Sequence, residues 1–517
     1  MPDSLQTLTH RLVGFFDQGD LDAAKDLAKE IIKLYPGDPF GYKALSAVLM
    51  LQLNPQQALW PGVTSVQLGP NDAESHSNLS NIYRCLEQYD KAADACRNAI
   101  RLNPNLADAY NNLGAILFAQ QKLVESEQVL RKAIELKPDY AEAYSNLGNT
   151  LNGQGRLHEA KDSCTKAISL NPGLADAHNN LGAIFRDLKQ LDQAEESFKS
   201  AIKSDPAHPD ALFNLSLLCL LQGDFYRGLR LYENRKIKHP SLGTRWYGDQ
   251  SLQDKSILIY SEQGLGDTIL FSRYIPLVKA LGAKVVFQVQ PALVPLMSSL
   301  EGVDQLISQT SEVESVDYQC PLLSLPLVFQ TDFNNLPAVV PYLHASKDCV
   351  DSWNQQLGSN GFKIGICWQG TKKDRAIPIE HFAQFAAVDQ VRLISLHKGL
   401  GEKDLANLPA GMTVETLGQE FDSKGAFTDT AAVMQCCDLI ISNDASVAHL
   451  AGALGIPVWV ALIHVPDWRW FLDREDSPWY PSMRLFRQDH SKDWLSVLTK
   501  MQQELLTKVQ QKTVDQK

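Results

Sequence analysis

The 517-residue chain lacks any apolar run near the roughly 20 residues that cross a bilayer, so no helical membrane span is expected. Its opening, MPDSLQTLTHRLVGFFDQGD, has neither the basic head nor the apolar stretch of a signal peptide. The nine cysteines (85, 96, 164, 219, 320, 349, 367, 436 and 437) include no Cys-x-x-Cys pair, and an odd number suits buried free thiols. The expectation is a reducing compartment, hence the cytoplasm. Positive charge is not in excess either. The net charge of −12 argues against a nucleic acid or an anionic membrane as partner, leaving only the chance of a local basic groove. No DxD-type acidic pair stands at a strand end in the second half, so no obligatory metal and no cofactor is expected, only a co-substrate. What remains is ordinary for a globular protein, 44% apolar and 21% charged. It is long enough for about three to four domains.

Proline is where the chain becomes particular. Pro36, Pro70, Pro104, Pro138, Pro172, Pro206 and Pro240 stand 34 residues apart. A fixed period of this size means stacked copies of one supersecondary unit. The repeats then run 5–38, 39–72, 73–106, 107–140, 141–174, 175–208 and 209–242. A small residue recurs as Ala24, Ala58, Ala92, Ser126, Ala160, Ala194 and Gly228, where two helices of a hairpin must approach. Leu45, Leu79, Leu113, Leu147, Leu181 and Leu215 form a core column. Gly114, Gly148 and Gly182 follow three of them, at a cost of about 1 kcal/mol each against Ala that close packing must offset. Each proline ends a second helix. Pro61, inside such a helix, predicts a kink. The pattern resembles the tetratricopeptide family, which implies a helical superhelix over 1–242.

Before those leucines stand Asn78, Asn112, Asn146, Asn180 and Asn214. By the family pattern this face lines the concave groove. An Asn amide carries a donor and an acceptor, so a ladder of them can grip an extended peptide backbone. The alternative is that each Asn bonds its own solenoid. The ladder is similar to that of the nucleocytoplasmic O-linked N-acetylglucosamine transferases, where it holds the acceptor protein.

From 256 onward apolar strands alternate with amphipathic helices, as in parallel α/β sheets. Strands are expected at 257–260, 284–289 and 363–367, with a helix of about 15 residues after the first. Two Rossmann-like domains, 256–345 and 346–509, are expected behind a 243–255 linker, with a closing helix from Trp494 to Val509 and a tail at 510–517. The turn Gly264-Leu265-Gly266-Asp267 lacks the third glycine of a dinucleotide fingerprint. Asp267 falls at a helix N-terminus, either as a capping acid or as a functional group at a strand's carboxyl end, where open sheets place ligands. Asp444-Ala445-Ser446-Val447-Ala448-His449 follows a strand and opens a helix. Its free N–H groups and the Ser446 hydroxyl suit a diphosphate; His449 is either a ligand contact or a packed residue. The tract Pro466-Asp467-Trp468-Arg469-Trp470 with Trp479 and Tyr480 suits stacking on a sugar or base, or packing against the sheet.

These motifs, with a basic residue at Arg375 two before Ile377-Pro378, resemble the ADP-heptose:lipopolysaccharide heptosyltransferase superfamily. The resemblance implies a GT-B fold, Asp267 as general base, and Gly266, Arg375, Asp444, Ser446 and His449 at the donor, with Lys372 and Lys373 in reserve. The family's usual Thr-Gly after the acid is here Ala445-Ser446. With the repeats, the whole chain resembles bacterial tetratricopeptide–glycosyltransferase fusions, flagellin glycosyltransferases among them. The expected function is transfer of a sugar from a nucleotide-sugar to Ser or Thr of a protein acceptor held by the five asparagines. An adaptor with an inactive second half, or a transferase acting on lipopolysaccharide or another glycan, are the alternatives.

Overall fold

The computed structural model describes residues 4–237, 240, 242–423 and 425–515. Residues 1–3, 238, 239 and 241 of the expected repeat range, and 516 and 517 of the expected tail, lie outside the described residues. The chain forms two compact units, Met1–Asn214 and Leu215–Lys517.

The first unit is a stack of helical hairpins. First helices Pro39–Leu51, Ala73–Cys85, Ala107–Ala119, Ala141–Gly153 and Ala175–Asp187 are each 13 residues long. Second helices Leu21–Leu34, Pro55–Leu68, Tyr89–Leu102, Leu123–Leu136, Leu157–Leu170 and Leu191–Ser204 are each 14. All six end two residues before a comb proline, whose ring disfavours helix in the residue preceding it. The small-residue column is buried as expected. A Cβ on Gly148 would lie 2.3 Å from the Cys164 Sγ, and one on Gly114 2.4 Å from Leu130 Cγ. Pro61 sits inside a helix that runs unbroken from Pro55 to Leu68.

A second comb has no signature in residue type. Gly19, Leu53, Glu87, Gln121, Gly155, Lys189 and Gly223 all adopt positive φ, between 57° and 84°, two residues before each second helix. The tight hairpin turn requires the left-handed conformation, and four of the seven positions accept it without glycine, at a cost of order 1 kcal/mol each.

The second unit holds two parallel sheets. The first contains β1 (Thr244–Arg245), β2 (Ser256–Tyr260), β3 (Lys284–Val289), β4 (Gln305–Ser308) and β5 (Tyr318–Pro321) in the order β1-β5-β2-β3-β4. The second contains β6 (Phe362–Cys367), β7 (Val391–Ser395), β8 (Leu439–Asn443), β9 (Val458–Leu462) and β10 (Met483–Arg487) in the order β10-β9-β8-β6-β7. Two such sheets are what a GT-B fold requires. A strand buried on both faces, such as β9 (VWVAL), reads as an unbroken apolar run for that reason. In each sheet the strand order reverses beside the first long strand, between β2 and β5 and between β6 and β8. The carboxyl ends at such switch points are where open α/β sheets place ligands.

Four expectations need correction. Residues 243–255 are not a free linker: β1 pairs with β5, and Trp246 and Leu252 are buried. The helix after β2 is broken into Leu265–Phe271, a 3-10 turn at Ser272–Tyr274, and Ile275–Ala280, because Pro276 has no N–H to continue the ladder. The closing helix runs Trp494–Asp515, past Val509 into the expected tail. The last second helix stops early, at Phe225–Tyr232. Just beyond it Arg235 is drawn inward, donating to Glu262 at 2.7 Å and to Ser324 at 2.8 Å, and a buried guanidinium holds only where its partners are.

Candidate active site

The loop after β2 carries Asp267 at the third position of the helix Leu265–Phe271. Its Oδ2 accepts the Gly264 N–H at 3.0 Å, so the carboxylate caps its own helix. The next residue, Thr268, donates to Gln290 Oε1 at 2.9 Å and pins the loop to the end of β3. Gly266 faces the other sheet. A Cβ there would lie 3.0 Å from His449 Cδ2 and 3.3 Å from Ser446 Cα, so a side chain would press the helix Ser446–Ala453 back by a few tenths of an ångström. Ser446 is the first residue of that helix, half-buried, and Ala445 before it supplies no side-chain cap.

Five charged side chains form an alternating row at this place: Asp444, Arg375, Asp467, Arg469, Asp267. Arg375 donates to Asp444 and stands 3.6 Å from Asp467. Arg469 reaches Asp467 at 2.6 Å and Asp267 at 2.5 Å. The side chains of Asp444 and Arg469 keep only 9% and 8% of their exposure, against 21% for Asp267. Buried charges survive because each has an opposite neighbour. Burial works to raise the Asp467 carboxyl, but Arg469 and Arg375 outweigh it and hold the group well below the usual carboxylate range. Burial would lower the Arg469 guanidinium; Asp267 and Asp467 raise it instead. Burial pushes the Asp444 carboxyl up, against the pull of Arg375. Lys372 and Lys373 lie exposed in the loop that leads to Arg375. Among the described residues no group of three or more His, Cys, Asp or Glu side chains is placed to hold a metal ion.

His449 is a packed residue, buried at 5% exposure. Its ring stacks on Trp470 at 4.9 Å and its Nδ1 meets the Tyr480 hydroxyl at 3.2 Å. Burial, reinforced by Arg469, pushes the imidazole down to about 3, so it stays neutral. The aromatic tract is packed too. Trp468, Trp470, Trp479 and Tyr480 are buried, with Trp468 stacked on Phe271 at 6.2 Å, and none offers a face to a sugar or base. Arg375 is not a free cation; two carboxylates already hold it.

In the first unit, Asn112, Asn146, Asn180 and Asn214 line a concave groove of about 560 Å³. Each amide donates to the repeat before it: Asn112 to Ser77 Oγ at 3.2 Å, Asn146 to Asn111 Oδ1 at 2.8 Å, Asn180 to Ser145 Oγ at 3.0 Å, and Asn214 to Asn179 Oδ1 at 2.9 Å. Acceptors Ser, Asn, Ser, Asn thus alternate one residue before the column. Among the described residues no bond uses the Oδ1 atoms of these four. Asn78 makes no bond of this kind, because the residue 35 positions before it is Lys43, whose ammonium donates to Asp72 and Glu74 and has no acceptor to offer.

Comparison with known proteins fits this division. Residues 80–121 and 114–155 match the TPR repeat, and 141–174 and 175–208 the tetratricopeptide repeat. Residues 309–462 match glycosyltransferase family 9 (heptosyltransferase). The chain joins tetratricopeptide repeats to a glycosyltransferase family 9 domain. Arg375, Asp444, Ser446 and His449 fall inside the matched segment; Asp267, Asp467 and Arg469 fall outside it. Protein FlbA of Caulobacter vibrioides is 27% identical over 317 residues, 54% of this chain and 52% of that protein. The chain therefore spans about half the length of this curated relative. Among solved structures, the APC/C hetero-tetramer Cut9-Hcn1 covers 45% of this chain and 48% of its own at 15% identity, with a TM-score of 0.41. MamA from Desulfovibrio magneticus RS-1 covers 33% and 96% at 22% identity, with a TM-score of 0.28. No helix among the described residues is long and apolar enough to cross a membrane.

Sequence reasoning missed Asp467 and Arg469 as parts of the charge row. The signal was present: an acid and a base set among tryptophans will be buried with them, and buried charges need opposite partners.

Proposed function

We infer that the protein is an O-glycosyltransferase moving a sugar from a nucleotide-sugar to a Ser or Thr hydroxyl of a protein acceptor held in the repeat groove. The observation that carries this reading is convergence. The loops leaving the switch points of both sheets bring Asp267, Arg375 and Asp444 to one row of charges, with Ser446 two residues beyond Asp444, inside or beside a glycosyltransferase family 9 domain. In the proposed step the acceptor oxygen attacks the anomeric carbon and the bond from that carbon to the diphosphate oxygen breaks. The hydroxyl proton passes to Asp267 as general base. The departing nucleoside diphosphate gathers negative charge. The uncapped N–H groups of the Ser446 helix and the Ser446 hydroxyl would receive it, with Lys372, Lys373 and Arg375 as cations. The role is assigned to these residues without a metal, which transfer in the presence of a chelator would test.

The groove supports the acceptor half of the proposal. Its asparagines spend their N–H groups between repeats and keep Oδ1 acceptors for a ligand's N–H groups. An extended backbone offers such donors regardless of sequence. Flagellin is the first acceptor to try. Mass spectrometry of the protein co-expressed with candidate acceptors and their sugar pathway decides the matter. A mass increment of one sugar residue on acceptor Ser or Thr, lost in Asp267→Asn, is expected. Unmodified acceptor alongside a modified glycan would overturn the protein-acceptor reading.

A further inference from the structure

We propose that Arg469 is a shared cation which an incoming diphosphate draws away from Asp267, so that binding of the donor frees the base. The proposal rests on the reading of Asp267 as base and makes Arg469 a positioning residue for it. Both carboxylate oxygens of Asp267 are engaged: Oδ2 by the Gly264 N–H and Oδ1 by Arg469 Nη2 at 2.5 Å. With the Gly264 N–H on one oxygen and a guanidinium on the other, neither is free to take the acceptor's proton.

The row itself favours the exchange. It holds three carboxylates and two guanidiniums, so negative charge is in surplus by one. Asp467 lies between both arginines at 19% exposure, and Asp444 is the deepest acid at 9%. Asp267 shares only one arginine and is the most exposed of the three, so an incoming anion reaches this partner from solvent. A diphosphate brings at least two charges and competes best with this partner. Arg469 also has a reason to move. Its Nε is buried without a hydrogen-bond partner although the side chain keeps only 8% exposure, and the Arg375 Nε is in the same condition. Buried donors left unmade are costly, and phosphate oxygens would satisfy them. The partners are near at hand, because the close approach at Gly266 sets the Asp267 helix against Ser446.

Movement of Arg469 has its own optical reporter. The guanidinium lies 4.7 Å from the Trp468 ring centroid, and leaving that face changes the indole's surroundings.

The test is titration of the full chain with inorganic pyrophosphate, by calorimetry and tryptophan emission, in a double-mutant cycle. Asp267→Asn should tighten pyrophosphate binding about tenfold by removing the competitor, and Arg469→Met should weaken it about tenfold. In the Arg469→Met background, Asp267→Asn should change binding less than about twofold. The emission change should vanish in Trp468→Phe. Arg469→Lys should restore most of the binding, and urea midpoints identify variants that fail to fold. Should Arg469→Met not fold, Asp267→Asn with the emission signal still decides. Equal tightening by Asp267→Asn with and without Arg469, or no emission change on saturation of the wild-type protein, overturns the exchange while leaving the donor site intact. Absence of pyrophosphate binding in every folded variant, together with no nucleotide-sugar turnover, overturns the donor site as well.

Discussion

Replacing Asn112, Asn146 and Asn180 by Ala removes two things at once, and the structure separates them. The first is the inter-repeat ladder. Asn112 and Asn180 donate to serine hydroxyls, which can turn to other partners, so each loss costs about 1 kcal/mol of stability. Asn146 donates to Asn111 Oδ1, and Asn111 is only 8% exposed, so an unsatisfied acceptor is left behind at about 1–3 kcal/mol. In a solenoid such terms add between neighbouring repeats, giving about 3–5 kcal/mol in all. The second loss is three groove-facing Oδ1 acceptors. At about 1 kcal/mol for each peptide N–H they accept, acceptor affinity should fall by about 3 kcal/mol, or roughly 150-fold. The same three positions changed to Asp keep the oxygens and lose the donors. The Asp variant should therefore be destabilised yet bind an acceptor peptide more tightly than the Ala variant. Urea denaturation followed by circular dichroism gives the first quantity, and fluorescence anisotropy with a labelled acceptor segment the second. A folded triple-Ala protein with wild-type affinity would refute the reasoning and leave the asparagines as structural ties alone.

Other expectations follow from single sites. Asp267→Asn should lower transfer about 10²–10⁴-fold, the usual share of a general base, in steady-state assays of protein that still binds donor; full activity rules Asp267 out. Gly148→Ala places a methyl 2.3 Å from the Cys164 Sγ, so urea midpoints should report a loss of about 1–3 kcal/mol. His449 titrates near 3 in the folded chain against 6.5 unfolded. The unfolded state thus binds the extra proton, and stability falls as pH drops below about 6.5, by roughly 2 kcal/mol at pH 5. Comparison with His449→Gln at pH 7.5 and pH 5 isolates this from His397, which burial pushes down to about 4 with the same sign; an unchanged pH slope in the variant would show that His449 is not the group.

Much of this was written in local pattern. The proline comb fixed the repeat register because each comb proline disfavours helix in the residue before it, and all six second helices of the first unit stop two residues ahead of one. The apolar runs placed the main strands because strands covered on both faces have no polar side to show. Strand ends followed by Gly-Asp or Asp-x-Ser also marked two of the loops that meet at the charge row. The left-handed comb was not legible, since Leu53, Glu87, Gln121 and Lys189 accept a conformation that their side chains do not announce. Nor was β1, which exists only because β5 offers it an edge. The asparagines could be counted from the sequence, but which of their atoms are spent depends on residues 35 positions away. The charge row is the clearest case. Asp267, Arg375, Asp444, Asp467 and Arg469 come from four separate loops, and their pairing depends on distance and burial that only the packed sheets supply. Sequence determines which charges exist; tertiary structure decides which of them are paired within the protein, as Arg375 is with Asp444 and Asp467, and which stay exposed, as Lys372 and Lys373 do, because pairing depends on distance and burial.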